Sequence, residues 1–93
     1  QRPAVLIHIA DPEAPIAVAR LRDLFGLTRS ESVVAAALGR GASLDDIAAE
    51  MGVGRATVRS HLKRILAKTG THRQAEAAAL LARSVSAASS SGH

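Results

Sequence analysis

Residue patterning predicts an all-α chain: a bundle of four short helices, preceded by a short strand and a connector helix. Three observations carry this. Of 93 residues only Phe25 is aromatic and none is Cys, so the core must be built from Leu, Ile, Val and Ala. Such residues suit closely packed helices better than a sandwich or barrel. Helix-start residues and glycine stops then alternate along residues 27–83. Within that stretch, residues 43–63 read as two helices joined by a tight turn, the second studded with basic side chains.

The first element is Ala4-Val5-Leu6-Ile7-His8-Ile9, a β-branched apolar run closed by Asp11-Pro12, which reads as a strand. A lone strand is unstable in water, so it is expected to pair with another copy, with an upstream domain, or with nothing. From Ile16 to Phe25, the residues Ile16, Ala19, Leu21, Leu24 and Phe25 recur at roughly helical spacing and Gly26 stops them. Residues 1–26 are therefore expected to be a remnant of an upstream domain, or a link to one. An opening Gln1 in place of Met fits a piece of a longer protein.

Four helices follow. Thr28 with Glu31 forms a capping box, Val33, Val34, Ala37 and Leu38 supply an apolar stripe, and Gly39 and Gly41 end it. Ser43 with Asp46 caps the next helix, whose Leu44, Ile47, Ala48 and Met51 face inward. Ala48 permits close approach of the following helix, Gly52 supplies a left-handed turn, and Val58 points back into the cleft. The basic helix spans 55–69 and Gly70 stops it. Thr71 with Gln74 is read as a third capping box, opening a helix to about Arg83; the Ser/Ala/Gly-rich residues 84–93 are expected to be a disordered tail.

The net charge of +4 is unevenly placed. Six of the twelve Lys/Arg (Arg55, Arg59, Lys63, Arg64, Lys68, Arg73) lie between Met51 and Ala75, with no acid among them. The other six face all eight Asp/Glu, leaving the rest of the chain at −2. A basic segment on a slightly acidic body is the footprint of a polyanion binder.

A helix-turn-helix holds its second helix out for the DNA major groove. At about 100° per residue, Val58, Leu62, Ile65 and Leu66 share one face of helix 55–69, and Ala56, Arg59, Ser60, Lys63 and Ala67 share the opposite one. Arg59 and Lys63 stand one turn apart, able to reach adjacent base edges; Arg or Lys on guanine is the commonest specific contact. Ser60 permits close approach, and Ala56 can touch a thymine methyl. Thr57, Arg64 and Lys68 flank this face and are expected to hold phosphates, as are Arg73 and Ser43 at helix starts.

Other chemistries lack their residues. Without cysteine there is no disulfide, thiolate nucleophile or cysteine-ligated zinc. His8, His61, His72 and His93 show no ligand spacing. His61 lies beside the apolar face and reads as partly packed against a neighbouring helix. Ser60 and His61 diverge around the helix and cannot act as a nucleophile pair. No paired carboxylates, phosphate-cradling loop or cofactor fingerprint appears, so no enzyme, cofactor or small-molecule site is expected. No apolar run nears the roughly 20 residues of a membrane span. Residues 4–9 are too short for a signal-peptide core, and a cytoplasmic protein is expected.

Over Leu27 to about Arg83 the chain resembles the LuxR-type (GerE-like) helix-turn-helix domain of bacterial transcription regulators. The resemblance rests on Leu27-Thr28 with Glu31, Gly41-Ala42-Ser43-Leu44 with Ile47-Ala48, and Met51-Gly52-Val53. It continues through Thr57-Val58-Arg59-Ser60-His61-Leu62, Lys68-Thr69-Gly70-Thr71 and Arg73-Gln74-Ala75-Glu76. It implies a four-helix bundle whose third helix enters the major groove and whose last helix forms a dimer on an inverted repeat. By position it assigns base reading to Arg59, Ser60 and Lys63, and phosphate contact to Thr57, Lys68 and Arg73. Gly54 stands where relatives carry Ser or Thr, giving up a cap. The alanine-rich last helix offers only a small dimer contact. The strand and connector before Leu27 resemble the end of an upstream sensory domain. Expected partners are double-stranded DNA and a second copy of the chain, with RNA polymerase a further candidate. Two competing readings are a sigma-factor-like promoter-reading region and a helical protein-interaction module that never meets DNA.

Overall fold

In the computed structural model, which describes residues 14–90, five helices succeed one another. They are α1 (Ala14–Phe25), α2 (Arg29–Gly39), α3 (Leu44–Met51), α4 (Arg55–Thr69) and α5 (Gln74–Ser90). No strand occurs among the described residues, and the strand expected at residues 4–9 lies outside them.

Helix α2 is the hub, and its composition explains why. Val34, Ala35, Ala36, Ala37 and Leu38 are consecutive and all buried, together with Glu31 and Ser32. A helix apolar all round must be surrounded, and α2 touches each of the other four. The apolar stripe is thus wider than Val33, Val34, Ala37 and Leu38, because alanine fits where helices press closest. The Thr28–Glu31 capping box is complete: Thr28 Oγ1 accepts from the Glu31 N–H at 3.1 Å, and Glu31 Oε1 accepts from the Thr28 N–H at 3.0 Å. At the other end Gly39 belongs to the last turn, and Arg40 is the C-cap. A Cβ on Gly39 would stand 3.2 Å from backbone atoms of Leu81 and Ala82, so α2 and α5 cross there almost backbone to backbone.

Helix α1 packs on α2 and α5. It does so through Ala17 and Leu21, with Val18 and Phe25 alongside, whereas Ile16 and Leu24 are exposed. The buried stripe is therefore rotated from the expected one. Residues 17, 18, 21 and 25 fall within about 100° of each other, and the small Ala17 allows the close contact that Ile16 would block.

The turn between α3 and α4 is closed as Gly52 implies. Gly52 sits at φ 71°, ψ 33°, and the Val53 N–H reaches back to the Ala48 carbonyl at 3.0 Å. Gly70 ends α4 in the same left-handed conformation (φ 73°), with the Thr71 N–H on the Leu66 carbonyl at 3.0 Å. Ala77 and Leu81 anchor α5 in the core, Val85 packing against it.

Two expectations are corrected at α5. Its first helical residue is Gln74, and Arg73 precedes the helix as the residue whose carbonyl receives the Ala77 N–H. Thr71 does not cap it: its hydroxyl hydrogen-bonds Thr69 at 2.9 Å, while Glu76 receives the His72 N–H. The helix also continues past Arg83 to Ser90 instead of giving way to a tail at residue 84. Alanine is the best helix former, and Ser84 returns its hydroxyl to the Leu80 carbonyl at 2.9 Å.

Candidate nucleic-acid interface

Helix α4 has two unlike faces. Val58 and Ile65 are fully buried, Leu62 and Leu66 pack against the same core, and burial of each aliphatic side chain stabilises by roughly 1.5–3 kcal/mol. That anchorage fixes the rotation of the helix. Ala56, Thr57, Arg59, Ser60, Lys63 and Arg64 are consequently all exposed. Ala56, Ser60 and Lys63 run along the centre of the free face. Arg59 lies at one edge, one turn or about 6 Å along the axis from Lys63. Thr57 and Arg64 lie at the other edge.

The flanking residues differ in what they have free. Ser43 is exposed and caps α3; its Oγ accepts the Asp46 N–H at 3.0 Å, which leaves the hydroxyl proton available to a phosphate oxygen. Arg73 is exposed at the entrance to α5. Lys68 is set apart. Its ammonium donates to Glu31 Oε1 at 2.7 Å, and that carboxylate is only 2% exposed. By angle Lys68 also stands well away from both Arg59 and Lys63.

Glu31 is the feature that reading along the chain assigned only to a cap. Its carboxylate ionises more readily than an ordinary glutamate. The Lys68 hydrogen bond does most of this, burial opposes it, and the Thr28 N–H and the charges of Lys68 and Arg64 add to it. It thereby ties the N-terminus of α2 to the last turn of α4. The partners are 37 residues apart, so no local spacing signals the pair.

A second missed partner is Asp45. Its Oδ1 lies 3.3 Å from Nε of Arg55, which opens α4, and both side chains are more than half exposed. His61 is half-buried as expected, and its Nδ1 has no hydrogen-bond partner among the described residues. Among those residues no cluster of His, Asp and Glu could hold a metal, and no helix is long and apolar enough to cross a membrane.

The arrangement presents cations, a small hydroxyl and a methyl on one exposed helical face, held by a rigid core. The family model for bacterial regulatory proteins of the luxR family (GerE) matches residues 26–81, more than half of the chain. The matched stretch starts after α1 and takes in α2, α3, α4 and the first half of α5. Comparison with curated proteins and with solved structures gave no match.

Proposed function

The chain belongs to the luxR family of bacterial regulatory proteins and carries the DNA-binding helix-turn-helix output domain of a transcription regulator; from that premise we propose that it reads a specific operator as a dimer. Helix α4 enters the major groove. Arg59 and Lys63 donate to guanine edges, Ser60 bonds a base or a neighbouring phosphate, and Ala56 packs on a thymine methyl. Ser43, Thr57, Arg64 and Arg73 hold phosphates on either side and set the register. Lys68 is left out of this set, because its ammonium serves Glu31.

The observation that carries the reading is the free face of α4, on which every proposed base-reading residue is exposed, turned away from the buried Val58 and Ile65. The dimer is supported by the outer face of α5, where Ala75, Glu76, Ala79 and Arg83 are exposed. A two-fold dimer matches an inverted repeat whose half-sites are about one helical turn apart. Residues 1–26 join this unit to an upstream sensory domain, and the protein works in the cytoplasm, where its DNA is.

Selection from random duplex DNA at near-physiological salt tests this. An enriched inverted repeat is the expected result, and Arg59→Ala should lose discrimination at one base position by about 1–3 kcal/mol. Binding without any enriched sequence would overturn operator reading. An enriched single half-site would overturn the dimer alone.

A further inference from the structure

The two helices of the helix-turn-helix carry opposite charge. Helix α3 holds Asp45, Asp46 and Glu50 and no base; α4 holds Arg55, Arg59, Lys63, Arg64 and Lys68 and no acid. They meet at the entrance to α4. Asp45 lies in the first turn of α3, two residues from the exposed cap Ser43, and its carboxylate engages Arg55 at 3.3 Å. With 71% of Asp45 and 57% of Arg55 exposed, the pair stands in solvent rather than in the core. It sits beside residues proposed above to meet the DNA backbone, so this inference rests on that reading.

From this geometry we infer that Asp45 is an affinity-setting residue: it competes with DNA phosphate for Arg55 and so limits the sequence-independent part of binding. A guanidinium satisfied by a carboxylate gains little by moving to a phosphate, since one anion replaces another. It then releases no counterion from DNA and is silent in the salt dependence. The uncompensated carboxylate would also face the approaching phosphates if Arg55 left it. Arg59 and Lys63 have no such carboxylate within 4.0 Å among the ion pairs of the described residues, and they remain free for bases. The consequence is a domain that holds non-operator DNA weakly without losing the cations that read sequence.

The experiment is a salt titration of a mixed-sequence duplex with the wild-type chain, Asp45→Asn, Arg55→Ala and the double variant. Asp45→Asn keeps shape and hydrogen-bonding capacity while removing the charge. It should tighten binding by up to about fivefold, the strength of an exposed pair, and steepen the slope of log K against log salt by about 0.9. Arg55→Ala alone should leave the slope near the wild-type value, and in the Asp45→Asn background it should restore that value. Melting temperatures of all four proteins should stay within a few degrees, which separates the effect from misfolding. An unchanged slope in Asp45→Asn, or a slope flattened by about 0.9 in Arg55→Ala alone, would overturn the inference. If no protein bound the duplex even at low salt, the DNA reading itself would fall; binding with additive single effects would remove only the competition between Asp45 and phosphate.

Discussion

At its last turn α4 is fastened by Lys68 to a carboxylate that is 2% exposed, at 2.7 Å, and closed by Gly70 in the left-handed conformation. At its first turn the ion pair among the described residues is a 3.3 Å contact between two exposed side chains, and Gly54 contributes no side-chain cap bond. An exposed ion pair contributes about 0–1 kcal/mol. A pair with a buried member matters more when broken, because the remaining charge is stranded away from water. The polar fastening of the helix is thus tight at its rear and loose at its front, where the Thr57 and Val58 N–H groups turn back to the Gly54 carbonyl and Arg55 is held by an exposed carboxylate. The same kind of contact is costly to break where one member is buried and readily exchanged where both are exposed.

The strongest way to break this asymmetry is at the rear. Lys68→Met keeps the aliphatic stem and removes the ammonium, leaving Glu31 with only the Thr28 N–H. It should destabilise the chain by about 2 kcal/mol, measured by denaturant unfolding. The same variant has a pH signature. Glu31 ionises more readily folded than unfolded, so folding favours its charged form and the stabilisation is complete above the unfolded value of about 4.3. It is lost as pH falls through the lower folded value. Stability of the wild type should therefore decline more steeply below about pH 4.3 than that of Lys68→Met. Equal acid profiles would refute the role given to this pair.

A smaller effect is expected at Gly70. Gly70→Ala meets no atom within 4 Å but must hold φ near 73°, so its cost is conformational, about 1 kcal/mol. The smallest effect is expected at the front of α4. Gly54 has φ −77° and ψ 159°, already the backbone of a capping residue, and open space where a Cβ would stand. Gly54→Ser should stabilise by a few tenths of a kcal/mol, seen as a small rise in melting temperature. A loss of stability would mean that the entrance to α4 is constrained by something other than its missing cap.

Much of this molecule is legible along the chain. The Thr28–Glu31 box, the Ser43 cap and the Gly52 and Gly70 turns each involve residues within a few positions of one another, and the structure contains all of them. The free face of α4 follows from period alone, since Val58 and Ile65 on one side oblige Arg59, Ser60 and Lys63 to the other. Local patterns mislead where two of them compete. Thr71 resembles a cap but finds Thr69 instead. Ile16 and Leu24 look like core residues, yet α1 lies along Ala17 and Leu21. The serine-rich stretch after Arg83 has tail-like composition and helix-forming alanines, and the alanines prevail as far as Ser90.

The helical bundle, the helix-turn-helix and the direction its basic face looks all follow from local residue patterns, because caps, turns and periodicity act over one or two turns of chain. Which cations stay free depends instead on long-range packing. Lys68 and Arg55 are cations like Lys63, but each is brought against a carboxylate by the packing of helices, Glu31 across 37 residues and Asp45 across the turn. Charge is a property of the residue, whereas its availability depends on what the fold places within about 4 Å of it.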